Sequence, residues 1–292
     1  MEKKSHKYGG QAVIEGVMMK SNENLAVAVR LENGKIKKKH QKLSRSRLYN
    51  LFFIRGIYGL YDMMKLGMSA LNWSAEQQMD EDEDASVGSS ILNSIILTGV
   101  TIISILFALF LFKVVPYFLS SYIVGKDNLI LFNLMDGLTK LFLLILYMWG
   151  LLIFKETRKI FEYHGAEHKV IGCYESGNDL TPENCMKYSK EHKRCGTNFL
   201  FFVVFVSIVV YLFIPLSLPW YWNIVLRIAF LPIIAGISYE ILRFNDSHEN
   251  GFTNILSIPG MMMQKLTTRE PNKSQLEVAI ESLKEVIKQD NK

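Results

Sequence analysis

Residues 91–112 read ILNSIILTGVTIISILFALFLF, without one charged side chain. A helix rises about 1.5 Å per residue, so a run of roughly 18 or more such residues crosses a hydrocarbon core. This stretch decides the fold class, an α-helical integral membrane protein. Working outward, three more apolar stretches lie within Leu129–Phe154, Thr197–Pro215 and Ile224–Leu242, although the first and last of these carry charges. Together they predict four transmembrane helices. The last two are alternatively long buried helices of a soluble domain, but FLFFVVFVSIVVYLFIPLSLPW at 199–220 is too uniformly apolar to have a wet face.

The whole chain has 292 residues, 49% of them hydrophobic, and a net charge of +5. Its 18 Phe, 13 Tyr and 4 Trp supply ample surface to bury, which excludes a disordered or fibrous protein. The charge is segregated: 29 of the 33 Lys and Arg fall in residues 1–90, 155–196 and 243–292. Basic residues beside spans stay in the cytoplasm, so these three segments share it, and a multi-pass inner-membrane protein with both termini cytoplasmic is expected. The +5 is therefore a topology signal and does not point to nucleic acid; the expected partner is the lipid bilayer. The short outer connections, with Pro116, Pro215, Pro219 and the anchors Trp220, Tyr221 and Trp222, carry almost no chemistry. Asp136, Lys140 and Arg227 are expected to snorkel at the outer boundary. No secretory signal is expected, because the first long apolar run follows residue 90.

Three regions follow: a cytoplasmic amino-terminal region at 1–90, a transmembrane domain at 91–242 with a cytoplasmic loop at 155–196, and a cytoplasmic tail at 243–292. In the first, Asn33-Gly34 separates two alternating runs and signals a hairpin, so a small β element is expected. Leu43 to about Ala75 has apolar residues at helical spacing, an amphipathic helix on the membrane surface or against the spans. The acidic run Asp80–Asp84 reads as a solvated linker. In the tail, Leu276, Ala279, Ile280, Leu283, Val286 and Ile287 share one face of a docking helix.

The chemistry concentrates in the loop. Tyr163-His164-Gly165-Ala166-Glu167-His168 has the order H-x-x-E-H. On a helix, His164 and His168 project from one face and can reach one ion, with Glu167 beside them as a general base. Two polar histidines meeting water at a membrane edge would look the same. A second pair, His192 and Cys195, precedes the third apolar stretch at ligand spacing. His164, His168, His192 and Cys195 then form a tetrahedral set whose N and S donors suit Zn²⁺. Four protein ligands close a site and make it structural; three leave a position open for catalysis. Cys195 as a thiolate nucleophile is the competing chemistry. Glu240, Asp246, His248 and Glu249 are alternative sources of a ligand, and Glu240 alternatively pairs with a basic residue. Cys173 and Cys185 are expected to be packed thiols. With three Cys in all, a disulfide framework is not expected.

GGQAVIEGVMM, YHGAEHK, HKRCGTNF, SYEILRF and LTTREPNKSQLEVAI together resemble the YqhQ-like family. These are bacterial membrane proteins with plastid relatives, carry a domain of unknown function and are commonly labelled metal-dependent enzymes. The resemblance covers nearly the whole chain and implies metal dependence for His164, Glu167, His168, His192 and Cys195. The sequence departs from true inverted zincins, since no established third acidic ligand follows, which puts proteolysis in doubt. The leading expectation is a metal-dependent hydrolase acting at the cytoplasmic membrane surface. The rival is a non-catalytic assembly or quality-control factor, docked on another membrane complex such as the translocation machinery, whose metal only clamps the loop. A transporter is the weakest reading, because the spans offer few charges to line a path. Gly9, Gly10 and Gly16 imply tight turns or close approach, and Glu15 points either at the metal site or at Arg55.

Overall fold

The computed structural model describes residues 8–44, 46, 49, 51–78, 87–248 and 250–292, with the backbone alone for 87–94 and 97. The predicted linker Asp80–Asp84 and Glu249 lie outside the described residues. The chain is mostly helical, with one small antiparallel sheet near its amino terminus. It divides into two compact units. One gathers the described residues before Met79 with Met148–Phe199 and Tyr239–Lys292; the other joins the described residues between Asp80 and Tyr147 to Leu200–Ser238.

The first unit is built on the sheet, with strands β1 (Gly9–Val13), β2 (Gly16–Lys20), β3 (Asn24–Arg30) and β4 (Ile36–Lys42) in that order. The Asn33-Gly34 turn joins β3 to β4 as expected, with Gly34 at φ 80°. Side chains alternate across a strand, so β2 and β3 serve two cores. Val17, Met19, Ala26 and Ala28 pack on one face with Tyr163, Ala166, Val170, Leu276, Ala279 and Leu283. Met18, Leu25, Val27 and Val29 pack on the other with Leu66 and Ala70. The first face is covered by α5 (Lys155–Glu175) and α11 (Lys273–Asp290), the second by α1 (Ile54–Glu76). The tail helix thus docks through the face its sequence predicts, and Asn272 caps it. β4 is an exposed edge whose Lys37, Lys38 and Lys39 discourage pairing with another chain.

α1 is shorter than the Leu43–Ala75 expectation. The chain turns at Phe53, whose φ is 68°, where Glu240 accepts the Phe53 N–H at 3.3 Å and Arg55 at 2.5–2.7 Å. Glu240 is therefore an ion-pair partner. Glu15 takes neither expected direction: it pairs with Lys159 at 2.5 Å and accepts from the Tyr163 hydroxyl at 3.4 Å.

The remaining helices are α2 (Val87–Leu109), a π-helical turn at Phe110–Val114, α3 (Val115–Val124), α4 (Leu129–Leu151), α6 (Pro182–Cys185), α7 (Gly196–Tyr211), α8 (Trp220–Ala229), α9 (Leu231–Ser247) and α10 (Gly251–Thr267). Among the described residues, Thr98–Val124 and Leu129–Leu151 are long and apolar enough to cross a membrane. α8 and α9 qualify together as a third, bent by 42° at Phe230, whereas α7 is apolar but shorter. Pro116 does not end the first stretch. Proline has no N–H to satisfy and is tolerated in the first turn of a helix, and the π turn before it lets the helix continue to Val124.

The second unit also corrects the snorkelling expectation for Asp136, Lys140 and Arg227, all of which are buried. Asp136 pairs with Lys140 one turn on, and with Arg227 at 3.0 Å. Arg227 also donates to Asn133 at 2.7 Å and stacks on Tyr211, whose hydroxyl accepts from buried Lys113 at 2.8 Å. Buried charges persist where they are paired, and these meet each other rather than water.

Candidate metal centre

The helical reading of H-x-x-E-H holds: His164, Glu167 and His168 lie on α5. The histidine rings meet edge to face, 4.5 Å between centroids. Each is oriented through Nδ1, which donates to the Thr267 carbonyl from His164 at 2.8 Å and to the Lys190 carbonyl from His168 at 2.5 Å. Both Nε2 atoms are left as lone-pair donors, the arrangement that metal-binding imidazoles ordinarily have. Cys195 immediately precedes α7, and its sulfur accepts the Thr197 N–H at 3.4 Å. One ligand atom from each of His164, His168 and Cys195 lies within 4.8 Å of the others. This nitrogen and sulfur set fits Zn²⁺.

His192 stands outside that triplet. Its ring is 5.9 Å from that of His168, its Nδ1 accepts the Arg194 N–H at 3.3 Å, and its Nε2 faces Glu175 at 3.4 Å. Burial works to raise the Glu175 pKa, but hydrogen bonds from His192 and Arg194 outweigh it and hold the carboxyl below its usual range. Glu167 is buried, which pushes its carboxyl up against the opposing pull of His164, His192 and the Gly10 N–H. The amino-terminal glycines find one role here: a Cβ on Gly10 would overlap the Met18 carbonyl oxygen of β2 and crowd Met19 Sδ at 3.0 Å and Glu167 Cγ at 3.2 Å, so glycine is required first by the close approach of β2 and then by α5. A cavity of about 630 Å³ opens over the triplet and is lined by β1, Glu167, His192 and Arg194 among others.

Of the alternative ligands, Asp246 lines the same cavity, facing Arg194 at 3.4 Å, and the other described ones are placed elsewhere. His248 stacks on Phe244, and Cys173 and Cys185 are buried in the sheet core. What the sequence reading missed is α10. Gln264, fully buried, accepts the His192 N–H at 2.7 Å and donates to the His192 carbonyl at 2.9 Å and to Asn198 at 3.0 Å. A proline inside the segment, Pro259, masks this helix in the sequence, while the capping box of Asn250 and Thr253 is the signal for it.

Residues 51–289 match the family described as protein of unknown function (DUF1385). The chain is 36% identical over 298 aligned positions to "Uncharacterized protein YqhQ" of Bacillus subtilis (strain 168), an alignment covering 96% of this chain and 92% of that protein. No solved structure matches.

Proposed function

The chain belongs to the DUF1385 family of proteins of unknown function, and from that premise we propose a multi-pass inner-membrane protein that holds Zn²⁺ at its cytoplasmic face and catalyses a hydrolytic reaction. One observation carries the metal reading: both imidazoles are fixed through Nδ1 to carbonyls, with His164, His168 and Cys195 offering ligand atoms within 4.8 Å. Three protein ligands leave a position open, which is the catalytic pattern. A bound Zn²⁺ supplies a Lewis acid that polarises a substrate oxygen. The chain's own residues do the rest. Thr197 steadies the Cys195 sulfur, Gly10 positions Glu167 as the general base, and Glu175 fixes the tautomer of His192 at the cavity wall.

Four transmembrane helices, with both termini inside, add the shorter apolar α7 to the two or three span-length helices, and the distribution of Lys and Arg supports this topology. Apolar side chains exposed on α1 (Tyr61, Met64, Met68) and on α10 (Phe252, Ile255, Ile258, Met262) suit a lipid surface. Lys126→Cys in sealed vesicles should react with a membrane-impermeant maleimide from the outer side; labelling from the cytoplasmic side alone would invert the topology.

The same exposed faces favour a second reading, a non-catalytic assembly or quality-control factor, translocon-associated, with a structural metal. Glu167→Gln separates the two. With fluorogenic amide, ester and phosphodiester substrates, the hydrolase reading expects zinc content to be kept and turnover to fall by about a hundredfold or more. A stoichiometric zinc protein that hydrolyses none of the three is the clamp instead.

A further inference from the structure

We infer that the cavity over the triplet takes an extended polypeptide segment, which pairs through its backbone with the outer edge of β1. The inference rests on the hydrolase reading and names its ligand class. β1 is the edge strand of the sheet, with β2 on one side only. The two-residue turn Ile14–Glu15 closes on the Val13–Gly16 pair, so Val13, Gln11 and Gly9 are the positions hydrogen-bonded to β2. The backbone groups of Gly10 and Ala12 therefore point away from it. The Gly10 N–H bears this out, since it bonds the Glu167 carboxylate.

That leaves the Gly10 carbonyl and the Ala12 N–H on the open edge. These are the acceptor and the donor that one residue of a parallel-running segment engages together. Residues 8–12 line the same cavity as His164, Glu167, His168 and Cys195. A Cβ built on Gly9 would meet nothing within 4 Å, so the face of β1 at its first residue gives onto open space and leaves room for the side chains of a paired segment. A volume of about 630 Å³ admits a short segment. An anionic ligand is less favoured, because Arg194 in the cavity wall is already engaged by Glu175 and by Asp246 at 3.4 Å.

The test uses the full-length zinc-loaded protein in lipid nanodiscs and a short fluorescein-labelled peptide of alternating threonine and valine, read by anisotropy. Its twin, N-methylated at alternate backbone nitrogens, has the same side chains but cannot pair. The plain peptide is expected to bind at least about tenfold more tightly than the twin. Ala12→Pro, which removes an N–H that β2 does not use, should bring the two to equal weak binding, whereas Ala12→Ser should keep the difference. Equal binding of the two peptides to the unmodified protein, or no binding of either, overturns the inference without relying on any variant. Zinc content in the same samples separates it from the reading beneath: zinc held without discrimination removes the peptide inference alone, and discrimination without zinc removes the metal reading alone.

Discussion

The Nε2 atom of His164 stands 3.3 Å from the Sγ atom of Cys195, across 31 residues of sequence. The contact joins α5 to the start of α7, and His168 completes the group. On the metal reading, zinc content should depend on these three and not on His192, whose nitrogens already face Glu175 and the Arg194 N–H. We expect about one zinc per chain by mass spectrometry. His164→Ala and Cys195→Ser should each lose most of it, and His192→Ala should retain it. Loss in His192→Ala equal to that in His164→Ala would restore a four-ligand, closed site.

Much of this was legible in the sequence, for a physical reason. Two histidines four apart on a helix must share a face, and an Asn-Gly turn between alternating runs must reverse the chain, so both readings needed only local geometry. The spacing of His192 from Cys195 and the family resemblance both point His192 at the metal. Spacing says nothing of Glu175 and Gln264, which take up the His192 ring and backbone from distant elements. Gly10 is partly the same case: its need for glycine arises mainly from the Met18 carbonyl of the neighbouring strand, and the crowding by Glu167 on α5 is added from a distant element. Asp136 and Lys140 were correctly paired at one helical turn, but Arg227 and Lys113 come from other helices, and only their meeting buries the group.

That buried group makes its own prediction. Asp136 is the only carboxylate among the described partners of Lys140 and Arg227. Asp136→Asn keeps the shape and removes the charge, leaving cations buried without compensation. Breaking a buried pair in this way costs about 3–5 kcal/mol. Thermal unfolding of the purified protein in detergent should show a large fall in midpoint. A change no larger than that of an exposed surface substitution would mean that the group is solvated.

The sheet core is tested by Leu283, fully buried where α11 crosses β2 and β3 with α5. Leu283→Ala removes methyl groups from a packed layer, at a cost of about 2–5 kcal/mol. Because α5 belongs to the same layer, zinc affinity should weaken with it. Denaturant unfolding followed by tryptophan fluorescence should show the loss, while Lys284→Ala, on the neighbouring exposed position, should leave stability within about 0.5 kcal/mol.

The three thiols should separate by reactivity. All are buried, but Cys195 alone among them lines the cavity. Burial, together with its hydrogen bond to Cys173, pushes the Cys185 thiol up to about 12. Only the thiolate is nucleophilic, so at pH 8 Cys185 is almost wholly in its unreactive form. Iodoacetamide added to the native, chelator-treated protein at pH 8 should therefore modify Cys195 and spare Cys185, as read by peptide mass spectrometry. Zinc restored before the reagent should slow the modification of Cys195, because a coordinated sulfur gives up electron density to the metal and becomes a weaker nucleophile. Modification of Cys195 at the same rate with and without zinc would remove that sulfur from the ligand set.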